Sequence, residues 1–185
     1  MARIPTDLRQ HGPVGRLTAW YLTRRYGAVL DSVAAVAHNG RVARAYLRFE
    51  TRVAGWRKLD ETSRCLAVLA AAAVVGCEWR IDFGYWESVH RGVDRRKIAE
   101  VARWRDSDAY TDTDRLVLGY AEAATATPPA VTDEQVAALR SRFSDAQVVE
   151  LTSLVALENY RSRANAAYGL GSQGFRDRCA LPTAG

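Results

Sequence analysis

Residues 60–86 read DETSRCLAVLAAAAVVGCEWRIDFGYW, and this stretch decides the fold. Asp60 is a good helix N-cap, because its carboxylate can accept an otherwise unpaired first-turn N–H. The segment from Cys65 to Val75 is apolar on every side, which predicts a helix buried centrally. Gly76 is its predicted stop. A second helix is predicted from near Cys77 to about Arg91, ended by Gly92. Asp94 then caps a further short helix. The two long helices form a hairpin with Cys77 at its turn.

The rest of the chain reads the same way. Helices are predicted over Arg16 to Tyr26, Val29 to Ala37 and Arg41 to Trp56, where Val42, Tyr46, Phe49 and Val53 recur at helical spacing. Asn39-Gly40 between them reads as a helix terminator. Thr111 with Asp114 caps a helix over Asp114 to Ala126, which Thr127-Pro128-Pro129 stops. Thr132 with Gln135 and Ser144 with Gln147 are capping boxes. The last helix is predicted from Ala146 to about Tyr168. No segment alternates with period 2, so the expected class is all-α. The expected organisation is an N-terminal helical extension (1–59), a core (60–170) and an irregular tail (171–185) that docks through its Phe175 and Cys179. Gly169, Gly171 and Gly174 match GxGxxG, but no strand precedes them, and the dinucleotide fingerprint needs one.

Composition narrows the function classes. The chain has 185 residues, 48% hydrophobic and 25% charged, which suits one ordinary globular domain. The net charge is +5, from 26 basic and 21 acidic residues. Arginines cluster at 24–25, 95–96, 103–105 and 161–163, yet acidic residues alternate with them along most helices. Only Lys58 and Lys97 are lysines, a compositional bias rather than a binding surface. No nucleic-acid recognition motif is present, and nucleic acid is not an expected partner. The longest apolar run, Leu66 to Gly76, is too short for a membrane span. The first ten residues lack the apolar core of a signal peptide, and Cys65, Cys77 and Cys179 match no disulfide framework, so a reduced cytoplasm is the expected compartment. His11, His38 and His90 are scattered without ligand spacing, so no metal site is expected.

The chemistry-bearing residues lie around the turn. A cysteine at a helix start meets unpaired N–H groups and the positive end of the helix dipole, which favour an anion at sulfur. Arg80 follows one turn on and reinforces that. Gly84 lies on the same face, leaving room for a ligand or for a neighbouring helix. Trp79, Phe83, Trp86 and His90 share the opposite face and read as an aromatic core ending in a surface or interface histidine. Asp82 and Glu87 qualify as general acids or bases if buried, or as partners of Arg91 and Arg95. On the last helix Glu158, Arg161 and Asn165 form a polar stripe on an otherwise apolar element, read as an interface or structural network first and a pocket wall second.

An apolar helix, Gly-Cys, an aromatic residue and an acidic helix ending before a Gly together resemble the carboxymuconolactone decarboxylase and alkylhydroperoxidase D-like family. The resemblance covers roughly residues 60–168. Trp104 to Asp108, Leu157 to Arg163 and Gly171 to Phe175 resemble a branch with an Asp-Phe-Gly-Tyr-Trp-Glu run after the motif. It implies a helical bundle, a homo-oligomer, a small-molecule substrate and no cofactor. Redox members carry CxxC, a histidine seven residues after the first Cys and a glutamate twelve before it. Here the first Cys is Cys77, while Arg80, Gly84 and Cys65 occupy the other three positions. If the chain reverses at Gly76, Cys65 and Gly84 approach each other deep in the hairpin. No resolving thiol follows Cys77 within the motif; Cys65 is a poor partner, since twelve helical residues span roughly 18 Å, and Cys179 qualifies only if the tail folds back. Three functions follow as expectations. The first is a non-redox enzyme performing decarboxylation, isomerisation or cyclisation, with Cys77, Arg80 and Asp82 as catalytic candidates. Trp79, Gly84, Tyr85, Cys65, His90, Glu158 and Arg161 are its substrate-binding candidates. The second is a one-cysteine peroxidase using Cys77. The third is a non-catalytic oligomeric binding protein.

Overall fold

The computed structural model describes residues 2–179, and among them the regular structure is entirely helical. The elements are α1 (Gly12–Tyr26), α2 (Asp31–Ala37), α3 (Gly40–Val53), α4 (Glu61–Val75), α5 (Glu78–His90), α6 (Arg95–Glu100), α7 (Asp112–Thr125), α8 (Asp133–Arg140) and α9 (Asp145–Tyr168). Short 3-10 helices cover Leu8–His11, Val101–Asp106 and Asp177–Cys179. The chain forms two compact units. One runs through Trp56 and takes in Asn165–Leu170; the other comprises Arg57–Ala164 and, of the described residues, 171–179.

The second unit is built on α4. Asp60 accepts the Ser63 N–H at 2.9 Å and starts the helix. Leu66, Ala67, Ala71 and Ala72 are fully buried, as all-round apolar character requires. The alanine run gives α4 a thin surface, and α7 packs closely along it, presenting the buried Val117, Leu118 and Ala121. Gly76 ends α4 in the left-handed region (φ 73°), which a residue with a Cβ adopts only at a cost. Cys77 donates its N–H back to the Ala72 carbonyl at 3.1 Å, and α5 begins one residue later. Capping boxes at Thr111/Asp114 and Thr132/Gln135 start α7 and α8, and Ser144 with Gln147 starts α9.

In the first unit the buried core includes Leu8, Ala19, Leu22, Leu30, Ala34 and Val53. Asn39 accepts the N–H groups of Arg41 and Val42. Asn39-Gly40 therefore starts α3, where the sequence suggested a stop, because Asn serves both ends of a helix and only its backbone conformation distinguishes them. Val42 and Phe49 are exposed, so the apolar spacing along α3 marks an open face there. α1 begins four residues earlier than predicted, at Gly12-Pro13, since proline fits the first turn of a helix. A Cβ on Gly15 would lie 2.0 Å from the Leu8 carbonyl oxygen, a backbone atom that cannot step aside. Gly15→Ala is expected to destabilise this unit by about 2 kcal/mol. The loss should appear as a lower urea midpoint, with unchanged stability refuting the close approach.

The tail is more ordered than expected. Phe175 is fully buried and Cys179 nearly so, with a 3-10 turn over Asp177–Cys179. The remainder of the 171–185 tail, residues 180–185, lies outside the described residues.

Candidate functional site

Cys77 is the N-cap of α5 and is 2% exposed, and its side chain makes no capping hydrogen bond. Its thiol thus sits at the helix start predicted from Gly76-Cys77. Arg80, one turn on, is committed elsewhere. Its Nε donates to Glu158 Oε1 at 2.7 Å, with side-chain exposures of 7% and 0%. Ser162 Oγ donates to the same oxygen at 2.8 Å, and Arg161 Nη1 reaches Oε2 at 3.4 Å. The Arg80 guanidinium also lies 5.8 Å from the ring centroids of Trp79 and Phe83. Burial would lower the pKa of Arg80, but the charge and hydrogen bond of Glu158 outweigh it and hold it above the ordinary value. Arg80 therefore carries its charge inside the protein, neutralised by α9. The stripe on α9 is joined by Ser162, four residues after Glu158, which the sequence reading did not select.

The hairpin brings together different pairs from those expected. A Cβ on Gly84 would meet Leu69 Cδ2 at 2.9 Å, so the room beside Gly84 is filled by α4. Cys65 lies one turn further along and hydrogen-bonds with Ser88. Cys65 and Gly84 are therefore not opposite each other. Burial pushes the Cys65 thiol up to about 11, against the pull of Ser88, so it stays protonated at neutral pH. Beside it runs an ion-pair chain. Arg91 bonds Glu61 at 2.8 Å and Glu87 at 2.9 Å. Glu87 keeps 36% side-chain exposure. Burial would raise its pKa, but Arg80, Arg91 and Arg161 together hold it below the usual carboxylate range.

Asp82 is buried and accepts three backbone N–H groups, from Gln173 (2.8 Å), Phe175 (3.1 Å) and Arg176 (2.7 Å). Burial would raise its pKa; these donors and the Ser172 hydroxyl prevail and lower it. Trp79 Nε1 donates to Gln173 Oε1 at 2.7 Å. Arg176 lies 4.8 Å from the ring centroid of Tyr85. The aromatic face is a ladder: Trp79 stacks on Phe83 and Phe83 on Trp86, while Phe175 meets Phe83 edge-on. His90 lies 3.9 Å from Trp86 and donates from Nδ1 to the Trp86 carbonyl. Asp82, Trp79 and Tyr85 thus all contact the 173–176 loop. Cys179 donates its thiol to the Phe175 carbonyl at 3.7 Å, and burial raises its pKa. Among the described residues no cluster of His, Cys, Asp and Glu could hold a metal ion, and no helix is long and apolar enough to cross a membrane.

Comparison with known proteins places this geometry. The uncharacterized protein YnjA of Escherichia coli (strain K12) is 33% identical over 187 residues, covering 98% of this chain and 95% of the relative. The structure of an uncharacterized peroxidase-related protein from Ralstonia eutropha JMP134, described as an alkylhydroperoxidase AhpD core, superimposes with a TM-score of 0.80 at 18% identity, covering 95% of this chain and 94% of that one. A Cys→Ala variant of the debrominase Bmp8 in complex with 2,3,4-tribromopyrrole gives a TM-score of 0.80 at 15% identity, covering 96% and 93%. These likenesses show the AhpD-core fold. The family model for carboxymuconolactone decarboxylases matches residues 40–123. With the hairpin, the partial motif and a relative matching along its whole length, the chain belongs to the carboxymuconolactone decarboxylase family.

Proposed function

We propose that this chain is a small-molecule enzyme of its family that works without a dithiol cycle and without a cofactor, by decarboxylation, isomerisation or cyclisation of a substrate bound beside Cys77. The observation that carries this is the fate of the second cysteine position. Arg80 stands there, buried and ion-paired with Glu158, so the residue that would resolve an oxidised Cys77 has become part of a structural charge network. In this reading Cys77 and the first-turn N–H groups of α5 face a developing negative charge on the substrate. Asp82 acts as a positioning residue, since its oxygens hold the 173–176 loop. The debrominase that shares this fold was captured with a halogenated pyrrole as a Cys→Ala variant, which supports small-molecule chemistry on the scaffold. A one-cysteine peroxidase is the second reading, favoured by the placement of Cys77 alone at a helix N-terminus.

Peroxide discriminates them. The wild-type protein with hydrogen peroxide and dithiothreitol is expected to show no turnover above that of a Cys77→Ala variant. Arg80→Cys, which restores the second thiol, is expected to form a disulfide with Cys77 on the same treatment. Sustained peroxide consumption by the wild type that disappears in Cys77→Ala would establish the peroxidase instead.

A further inference from the structure

The N-terminal unit holds a groove that the chemistry at Cys77 does not use. It lies between the Leu8–His11 turn, α1, α2 and α3, and has a volume of about 240 Å³. Leu8, Val14, Val33, Val36 and Leu47 supply apolar walls. Two polar groups stand out against them. His11 Nε2 is buried and has no hydrogen-bond partner. Its ring is held edge-on to His38, 4.7 Å between centroids, while His38 donates from Nε2 to the Pro5 carbonyl at 3.0 Å. A buried polar nitrogen without a partner is rare in native proteins and calls for an explanation. Arg44 is the second group. It lines the groove from α3, its residue is exposed, and no acidic side chain pairs with it among the described residues.

We propose that this groove binds a small apolar monocarboxylic acid, with its chain or ring between α1, α2 and α3, its carboxylate on Arg44, and the His11 ring turning to bring Nε2, closed off in the free protein, onto one oxygen. Each part follows from what the groove offers. Apolar walls favour a hydrocarbon body, and a few convergent polar groups fix its head, the usual constitution of a ligand site. A cavity of about 150 Å³ accepts benzene, so this larger groove suits a body of about eight to ten carbon atoms. A guanidinium recognises a carboxylate by paired, charge-assisted hydrogen bonds. The surrounding charge agrees. Residues 1–56 carry nine arginines and three acidic residues, whereas acidic and basic residues are nearly balanced in the rest of the chain. Its occupancy does not depend on the reaction proposed above.

Sodium octanoate titrated calorimetrically into the full-length protein at neutral pH, with 1-octanol as the uncharged control, tests this. Octanoate is expected to bind with one site per chain and more tightly than octanol. Arg44→Gln, a change at an exposed position, should weaken octanoate roughly tenfold and leave octanol unaffected. Ala43→Trp, which fills the groove, should abolish binding of both. His11→Phe serves as a second interior variant should Ala43→Trp fail to fold, and it should weaken octanoate. No heat of binding to the wild type would overturn the proposal. So would octanoate binding that Arg44→Gln and the interior variants leave unchanged, since that is adhesion to apolar surface elsewhere.

Discussion

Replacing Glu158 with Gln is expected to destabilise the protein by about 3–5 kcal/mol, a large fraction of the stability of a domain this size. The reason is the charge left behind. Arg80 is 6% exposed, and its Nε donates to a carboxylate that is itself wholly buried. Gln keeps the shape of Glu and one acceptor oxygen, but it removes the charge that balances a guanidinium taken out of water. An uncompensated buried charge costs far more than a lost hydrogen bond. Removing both partners is different: Arg80→Met with Glu158→Leu should recover most of the loss, because the buried pair goes together and only Arg161, which is nearer solvent and pairs at a longer 3.4 Å, loses this counter-ion. Urea denaturation of the wild type and the two variants measures this, with the midpoint falling steeply for Glu158→Gln and recovering in the double variant at an unchanged slope. A loss below about 1 kcal/mol in the single variant would mean that Arg80 finds a second counter-ion. Glu87, whose carboxylate already feels the charge of Arg80, is the group to which it would turn.

That network shows where sequence reading stops. The hairpin was legible because its causes are local. Asp60 caps α4, an alanine run buries it, and Gly76 takes the left-handed conformation that ends it. The capping boxes at Thr111, Thr132 and Ser144 were legible for the same reason: donor and acceptor lie three residues apart. The polar stripe on α9 was visible as a stripe, but its partner was not. Arg80 and Glu158 are 78 residues apart, and no periodicity links them. Helix register was a smaller step. The turn at Gly76-Cys77 sets Gly84 against Leu69 and Cys65 against Ser88, whereas the sequence reading brought Cys65 to Gly84, about one turn out of step. Asp82 was singled out for its chemistry, and nothing local showed that the loop beyond Gly171 returns to occupy its oxygens. The His11–Arg44 groove was not found at all, because its walls come from four short elements whose packing no pattern predicts.

Asp82→Asn is expected to release the 173–176 loop and to cost about 3 kcal/mol at neutral pH. One carboxylate accepts three backbone N–H groups here, and Oδ2 alone takes those of Gln173 and Phe175. Asn keeps one acceptor oxygen and turns the other position into a donor, which faces N–H groups that are donors themselves. Phe175, fully buried against the aromatic ladder, then loses the anchor that places it, and Trp79 loses the fixed geometry of its bond to Gln173. The effect has a pH signature with a definite sign. Asp82 has a lower pKa in the folded protein than an ordinary aspartate. Its contribution is therefore complete above the unfolded value of about 3.9 and is lost as the pH falls through the folded value. The stability gap between wild type and Asp82→Asn should be constant near neutrality and shrink in acid, because protonation turns the wild type into a neutral acceptor much like the variant. Hydrogen exchange gives the local test. The amides of Gln173, Phe175 and Arg176 should exchange much faster in the variant, while those of α4 and α7 keep their protection. Unchanged protection at those three amides would show that packing of Phe175 alone holds the loop. In that case Asp82 would be free for the acid–base role from which its three hydrogen bonds otherwise exclude it.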